Sequence, residues 1–248
     1  MSDSLVIIPT YNEKENIVKM IQTVFALEKP FHLLIVDDGS PDGTADLVKE
    51  QQQKYPGQLH ILERSGKLGL GTAYIAGFKW GLDRHYGYFF EMDADFSHPP
   101  QDLLRLYDAC ANGGASLSVG SRYVRGGRLE NWPWDRILLS YGASLYVRMI
   151  TWMPVKDPTA GFVCFKREVL KAIDLDKIRF VGYAFQIEMK FATRMLGFKI
   201  KEVPITFKDR EEGTSKMSSN IIKEAIMGVI QMRLRSFVSS YALSVKSA

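Results

Sequence analysis

Short apolar runs alternate with longer amphipathic segments along the first half of the chain. The runs are typical of strands buried on both faces, and hydrophobic spacings of three to four residues are typical of helices with one buried face. The pattern predicts strands at 5–8, 32–36, 59–63, 88–92 and 115–120, with helices at 13–27, 44–55, 71–84 and 100–110 between them. We therefore expect an α/β fold in which a mostly parallel, Rossmann-like sheet carries helices on both faces.

The second half of the chain is less regular. Its pattern predicts helices at 136–152 and 184–196, strands at 161–165 and 199–204, a polar loop at 209–217 and an amphipathic helix at 221–238. We expect residues 1–212 to form one domain. Residues 213–248 would then add a basic loop and an amphipathic C-terminal helix to that domain.

Composition and charge exclude several classes of protein. With 46% hydrophobic and 24% charged residues, the chain has the balance of an ordinary globular protein rather than of a disordered one. The net charge of +4 comes from the last 36 residues and is too small to indicate a nucleic-acid partner. No run of 18 apolar residues and no N-terminal signal peptide is present, so we expect no spanning helix. The two cysteines, Cys110 and Cys164, are expected to be reduced and buried.

Carboxylates follow three of the predicted strands at the point where each strand ends. In open parallel sheets, ligands bind beyond the carboxyl ends of the strands, near the point where the strand order reverses. Asp93 and Asp95 come directly after a buried run and could share a Mg²⁺ or Mn²⁺ ion with diphosphate oxygens. The alternative is a turn before the helix at 100–110. The position after a buried strand favours the metal–diphosphate hypothesis.

The other strand ends narrow the kind of ligand. The Asp37–Asp38 pair is placed where nucleotide-binding folds accept hydrogen bonds from a ribose or base, although the segment 38–43 also makes a good tight turn. No Gly-x-Gly-x-x-Gly follows the first strand, which argues against a dinucleotide dehydrogenase. The Gly-rich segment 66–72 lacks Gly-Lys-Ser/Thr at the required spacing, so a P-loop is rejected.

Eight segments along the chain carry distinctive motifs. They are Pro-Thr-Tyr-Asn-Glu at 9–13, Val-Asp-Asp-Gly-Ser-Pro-Asp-Gly-Thr at 36–44, Met-Asp-Ala-Asp-Phe-Ser-His-Pro-Pro at 92–100, Gly-Ser-Arg-Tyr-Val at 120–124, Asp-Pro-Thr-Ala-Gly-Phe at 157–162, Gly-Tyr-Ala-Phe-Gln-Ile-Glu at 182–188, Glu-Val-Pro-Ile-Thr-Phe at 202–207 and the loop 209–217. Taken together and in order, these motifs resemble glycosyltransferase family 2, and more narrowly its dolichol- and polyprenol-phosphate mannosyltransferases. The resemblance implies a GT-A type fold and covers nearly the whole chain. No Gln-x-x-Arg-Trp signature of the processive polysaccharide synthases occurs.

The resemblance also implies a set of site residues. Its metal ligands would be Asp95 and Ser97, holding Mg²⁺ or Mn²⁺. Residues along the ribose and diphosphate would be Asp93, Ala94 and Asp95, and the cations that engage phosphates would be Arg122, Arg210 and Lys216. Residues at the guanosine end of GDP-mannose would be Pro9, Tyr11, Glu13, Val36 and Asp38.

The implied reaction is an inverting, metal-dependent transfer of mannose from GDP-mannose to a polyprenyl or dolichyl monophosphate. Because the acceptor is already anionic, no catalytic base is required. The apolar segments 136–152 and 221–238 could lie on the cytoplasmic side of a membrane as a peripheral contact, and a membrane-anchoring subunit is a possible partner. Two alternatives stay open at this point: the same chemistry with UDP-glucose or another nucleotide sugar, and a catalytically silent subunit that binds lipid or partner chains.

Overall fold

A seven-stranded sheet forms the centre of the protein, in a computed structural model that describes residues 2–182, 184–209 and 219–243, the first seven of the last range by backbone only. Its strand order is β3-β2-β1-β4-β7-β5-β8, and a separate pair joins β6 to β9. The strands are β1 (Ser4–Thr10), β2 (His32–Asp37), β3 (Leu59–Glu63), β4 (Tyr88–Glu91), β5 (Leu117–Ser121), β6 (Arg128–Glu130), β7 (Val163–Lys166), β8 (Ile200–Pro204) and β9 (Thr206–Lys208).

Most neighbouring strands in the large sheet are parallel. The exception is β7, which runs antiparallel to β4 on one side and to β5 on the other. The predicted α/β fold with a mostly parallel sheet is confirmed. The helices of the described residues are α1 (Ile17–Phe25), α2 (Thr44–Gln52), α3 (Leu70–Leu82), α4 (Asp102–Ala111), α5 (Trp134–Thr151), α6 (Arg167–Ala172), α7 (Ala184–Met195) and α8 (Ser219–Arg235), with a short 3-10 helix at Leu175–Lys177.

Helices cover both faces of the sheet, and β1 shows why. Side chains of successive strand residues point to opposite faces. Leu5 and Ile7 join a core cluster with side chains of α3, α6, α7 and α8, whereas Val6 and Ile8 join a second cluster with α1, α2 and α4. All four side chains are fully buried. The apolar run is continuous because each face needs its own hydrophobic residues.

The first helix begins later than the hydrophobic pattern predicts. We expected a helix from residue 13, but α1 starts at Ile17, and Asn12 has a positive φ of 60°. Backbone N–H groups before the helix are held by side chains from the loop after β2 instead of by an N-terminal cap of their own. These hydrogen bonds run from Asn12 N to Ser40 Oγ (3.0 Å), from Glu13 N to Thr44 Oγ1 (3.1 Å) and from Lys14 N to Asp42 Oδ2 (3.1 Å).

The final helix packs against the rest of the molecule along part of its surface. Val229 and Met232 are buried in the same cluster as α7, and the Tyr146 hydroxyl of α5 donates to the Ile226 carbonyl at 2.9 Å. Among the described residues, no helix combines the length and hydropathy needed to cross a bilayer. The proposed division between 212 and 213 falls outside the described residues and stays a prediction.

Three local features were not predicted from the sequence. The small β6–β9 sheet, the helix α6 and the 3-10 helix are each six residues or shorter, which leaves too few positions for a period to be recognised. Cys110 and Cys164 are both buried and not joined by a disulfide, as expected.

Candidate active site

Four parallel strand ends and one antiparallel strand start meet at a single edge of the sheet. The strands β2, β1, β4 and β5 end there, and β7 begins there because it runs in the opposite direction. The strand order reverses between β1 and β4, since β2 lies on one side of β1 and β4 on the other. Ligands of open α/β sheets bind at such a switch point.

Residues predicted to hold a nucleoside come together at the β1–β2 end of this edge. Pro9 is paired in register with Val36, which is fully buried. Tyr11 and Glu13 follow β1 and are partly exposed. The Lys67 ammonium lies 4.9 Å from the centre of the Tyr11 ring. The edge therefore presents an aromatic ring and a carboxylate beside the buried strand ends.

The two adjacent aspartates after β2 have different partners. Asp37 is buried and accepts hydrogen bonds from the Thr10 hydroxyl (2.8 Å) and from both the amide and hydroxyl of Ser40 (2.9 and 2.6 Å). It thus ties β1 to the turn after β2, as the turn interpretation predicts. Asp38 instead forms an ion pair with Arg64, whose Nε lies 2.7 Å from Asp38 Oδ1. Arg64 was not among the residues predicted to lie at the site.

A tight turn follows β4 and carries the Asp-x-Asp pair. Asp95 Oδ1 accepts a hydrogen bond from the Ser97 amide at 3.0 Å, and Phe96 between them has a positive φ of 58°. Asp93 keeps 41% of its side chain exposed, whereas Ala94 is buried. The segment is a structured turn that presents carboxylates at the switch point, and its binding of a metal and a diphosphate stays a prediction.

Ser97 meets a structural condition for a metal contact. The residue is buried, and its hydroxyl oxygen has no hydrogen-bond partner among the described residues. An unpaired buried hydroxyl costs free energy unless something binds it. Together with the Asp95 carboxylate it supplies hard oxygen donors, which suit Mg²⁺ or Mn²⁺. No group of three or more His, Cys, Asp or Glu side chains in the described ranges could enclose an ion by itself.

His98 holds the start of the same turn. Its Nδ1 accepts a hydrogen bond from the Asp93 amide at 3.2 Å, so that nitrogen carries no proton. Burial lowers the pKa of His98 to about 4, and the nearby Asp95 carboxylate offsets this only in part. The ring stacks on Phe162 with centroids 5.0 Å apart. His98 is therefore a structural residue that holds the backbone of Asp93 in place.

Arg122 is held in a fixed orientation by a carboxylate from another segment. Its Nε and Nη2 donate to the two oxygens of Asp157, each at 2.7 Å, and Nη2 also donates to the Thr159 hydroxyl at 2.9 Å. Although burial acts to raise the pKa of Asp157, the hydrogen bonds and charge of Arg122 bring it below its ordinary value. The cation predicted to engage phosphate is therefore oriented before any ligand arrives.

A buried polar cluster supports the segment that carries Asp157. Lys190 is fully buried and donates to the carbonyls of Ala160 (2.6 Å) and Gln186 (3.0 Å). The Gln186 amide in turn donates to Glu91, the last residue of β4. Burial raises the pKa of Glu91 to about 8 and lowers that of Lys190. The cluster joins α7, β4 and the 157–161 segment, and no sequence pattern indicated it.

Two predicted cations cannot be placed. Arg210 and Lys216 lie outside the described residues, so their contacts with phosphate stay predictions. The described residues before this gap end at Asp209, whose two carboxylate oxygens each accept a hydrogen bond from Nη1 of Arg136 in α5 at 2.8 Å.

The chain has close relatives of known family. The model of the family described as glycosyl transferase family 2 matches residues 5–174. The polyprenol monophosphomannose synthase of Mycolicibacterium smegmatis is 48% identical over 232 residues, which cover 94% of this chain and 87% of the relative. The undecaprenyl-phosphate mannosyltransferase of Micrococcus luteus is 46% identical over 230 residues, covering 93% of each.

A solved structure shows the same fold. The mannosyltransferase of Pyrobaculum calidifontis, in complex with GDP-Man and Mn²⁺, superposes with a TM-score of 0.60 at 17% identity. The match covers 97% of this chain and 66% of that one. This likeness confirms the expected GT-A type fold. The family model matches more than half of the chain, and two relatives are nearly half identical over almost the full length. The chain therefore belongs to glycosyltransferase family 2 and is a glycosyltransferase.

Proposed function

We propose that this glycosyltransferase moves mannose from GDP-mannose to a polyprenyl monophosphate and forms a polyprenyl β-mannosyl phosphate. The observation that carries the proposal is the 48% identity with a polyprenol monophosphomannose synthase over 94% of the chain. The matched region extends over both halves of the protein and is not confined to the sheet edge. The carboxylates at three strand ends argue against a catalytically silent subunit.

The nucleoside end of the donor would lie where β1 and β2 end. Pro9 supplies apolar surface there, Tyr11 an aromatic face, and Glu13 and Asp38 carboxylates that would accept hydrogen bonds from the base and ribose. Val36 is fully buried, so it would act by supporting Pro9, its partner in the sheet. This arrangement fits a nucleoside because a flat apolar base needs a face to stack on and its N–H groups need acceptors.

The diphosphate would lie along the turn after β4, beside Asp93 and Ala94. Asp95 and Ser97 would hold Mg²⁺ or Mn²⁺, which would supply positive charge to the departing diphosphate. Arg122 would add a second, pre-oriented cation from the end of β5, and Arg210 and Lys216 would complete the set. A fixed charge in a site of low polarity stabilises developing negative charge without reorganising during the reaction.

The proposed reaction requires little proton transfer by the protein, because the acceptor phosphate is already anionic. A phosphate oxygen of the acceptor forms a bond to C1 of mannose, the bond between C1 and the donor diphosphate breaks, and GDP leaves with the electron pair. Attack opposite the leaving group inverts C1. The chain's own residues bring two anions together and orient them, which is worth several orders of magnitude in rate.

The acceptor's lipid chain would reach the site along α5. Five large side chains on this helix, and a sixth directly after it, are exposed and recur every three to four residues, which makes a stripe down one side. Their exposed fractions run from 45% to 77%. We call them the α5 stripe: Trp134, Leu138, Tyr141, Leu145, Met149 and Trp152.

A membrane surface is the occupant that fits this stripe. Arg233 of α8 lies 4.5 Å from the Trp152 ring and 4.8 Å from the ring of Phe237, which is itself exposed. Cations among exposed aromatic side chains suit an anionic lipid surface. Burying each large apolar side chain is worth roughly 1.5–3 kcal/mol, so a few of them support reversible binding.

A transfer assay tests the proposal directly. Purified protein would receive labelled GDP-mannose or UDP-glucose together with a polyprenyl phosphate and either Mn²⁺ or Mg²⁺. We expect a mannosylated lipid from GDP-mannose with a β-linkage by NMR, and no product when the metal is chelated. Transfer from UDP-glucose but not from GDP-mannose would show that UDP-glucose is the donor. An absence of transfer from both donors would favour a catalytically silent subunit.

A further inference from the structure

Arg64 occupies an unusual place beside the candidate nucleoside site. It follows β3 directly, and its backbone amide donates to the Asp37 carbonyl at 2.8 Å. Its side chain runs back towards the end of β2 and is only 10% exposed. Burying a cation to this extent costs free energy unless hydrogen-bonding or charged partners compensate for the lost solvation.

The guanidinium has three anchors, each on a different part of the site. Nε donates to Asp38 Oδ1 at 2.7 Å, Nη1 to the Thr72 hydroxyl at 2.8 Å and Nη2 to the Gly69 carbonyl at 3.3 Å. Asp38 follows β2, Gly69 closes the loop after β3, and Thr72 lies in the first turn of α3. One side chain therefore connects three elements.

The loop between these anchors is held close to the nucleoside residues. A Cβ on Gly39 would lie 3.4 Å from the Arg64 carbonyl, which shows how closely the two loops approach each other. The loop also carries Lys67 to the ring of Tyr11. Displacing the Arg64 side chain would release the Asp38 carboxylate and this loop together.

The pairing leaves one oxygen of Asp38 for a ligand. Arg64 occupies Oδ1, whereas no hydrogen bond to Oδ2 is formed by any residue in the described part of the chain. The guanidinium also offsets negative charge at an edge that carries several carboxylates. That matters because the donor is itself a polyanion.

We propose that Arg64 is a positioning residue for the nucleoside end of the donor. It sets the plane of the Asp38 carboxylate so that Oδ2 faces the base or ribose, and it holds the 65–69 loop against Tyr11. The inference rests on the proposed nucleoside role of Asp38. It adds a residue that acts on donor binding and not on the transfer step.

The test separates the nucleoside from the diphosphate. Arg64→Lys keeps the charge but cannot make three contacts from one planar group. We expect the donor KM and the inhibition constant of GDP to rise about tenfold or more, with kcat and the inhibition constant of inorganic pyrophosphate changed by less than about threefold. The matched control is Arg84→Lys, which alters a guanidinium stacked 3.6 Å from the Trp80 ring at the other end of the sheet.

Two further variants make the outcomes distinguishable. Combined with Asp38→Asn, Arg64→Lys should add little to the loss of GDP binding, because both changes remove the same interaction. Thr72→Val removes a single anchor and should weaken GDP binding by a smaller factor than Arg64→Lys. This variant keeps the test available if Arg64→Lys does not fold.

Three results would overturn the inference. Unchanged GDP inhibition in both Arg64→Lys and Thr72→Val, while Asp38→Asn weakens it, would remove Arg64 and leave the proposed function standing. An equal loss of GDP and pyrophosphate binding would make Arg64 a general scaffold residue. Unchanged GDP binding in Asp38→Asn itself would overturn the nucleoside site and the inference together.

Discussion

Arg122 and Asp157 face each other across the site in a two-point ion pair. The Nε–Oδ2 and Nη2–Oδ1 distances are both 2.7 Å, and the backbone amide of Arg122 donates to the same Oδ2 at 3.0 Å. The Asp157 side chain is fully buried and that of Arg122 is 9% exposed. The residues come from segments 35 positions apart, so the pair joins the end of β5 to the start of β7.

Removing one partner of this pair should be costly. We expect Asp157→Asn to lower the free energy of unfolding by about 3–5 kcal/mol, because it leaves a buried guanidinium without its counter-charge. Urea denaturation measures this loss. The double variant with Arg122→Gln should lose less than the sum of the two single changes, and a strictly additive cycle would contradict a direct pairing.

Asp95→Asn tests the proposed metal site. The substitution preserves volume but removes the anionic ligand, so transfer should be nearly abolished. The rise in Tm that Mn²⁺ and GDP together produce by mass action should also disappear. Asp46→Asn is the control, because Asp46 on α2 is an 82% exposed aspartate to which no metal contact is assigned. Wild-type turnover by Asp95→Asn in metal-buffered assays would show that Asp95 is not a ligand.

The α5 stripe predicts reversible membrane binding. Replacing Leu138 and Met149 with Glu places two charges among the exposed apolar side chains and should strongly reduce flotation with anionic liposomes. Turnover on a short, water-soluble acceptor should be retained. Gln53→Glu adds a negative charge to an exposed polar position after α2 and should leave flotation unchanged. Equal flotation of all variants would assign the membrane contact elsewhere.

His60 predicts a dependence of stability on pH. Burial, followed by the charges of His32 and Arg84, lowers the pKa of His60 below its ordinary value. Between that lowered pKa and the ordinary value of about 6.5, the unfolded chain binds a proton that the folded protein does not. Stability contributed by the neutral ring is therefore present above pH about 6.5 and is lost as the pH falls through this window.

The substitution His60→Gln isolates this contribution. We expect the unfolding free energy of the variant to fall less steeply than that of the wild type between about pH 7 and 5. The transfer rate should not change, because His60 lies towards the opposite end of its strand from the site. Identical pH profiles for the two proteins would mean that His60 titrates normally.

The features best predicted from the sequence are those that depend on residues close together along the chain. The run at 5–8 identifies a strand buried on both faces, and the carboxylates after it and after the run at 88–92 mark the ligand edge. Arg64 could not be assigned in this way, since its partner Asp38 lies 26 positions earlier and depends on the pairing of β2 with β3. The same holds for Lys190, which contacts Ala160 across 30 positions.

The start of α1 shows a different limit. We expected the helix from residue 13, but the N–H groups there bind side chains of residues 42 and 44, and this competes successfully with helix formation. A local pattern carries no information about an acceptor that arrives from 28 to 31 positions away. Such boundaries follow from tertiary contacts and not from propensity.

The three hydrogen bonds between these two loops have a consequence for engineering donor preference. The side chains of Ser40, Asp42 and Thr44 accept hydrogen bonds from backbone amides of the turn after β1, so the two loops are not structurally independent. A chimera that replaces the residues after β2 by ones without these side-chain oxygens would leave the amide groups of residues 12 to 14 without acceptors. Exchanging the loop after β2 therefore requires either that these three acceptors are kept or that the residues after β1 are redesigned together with it.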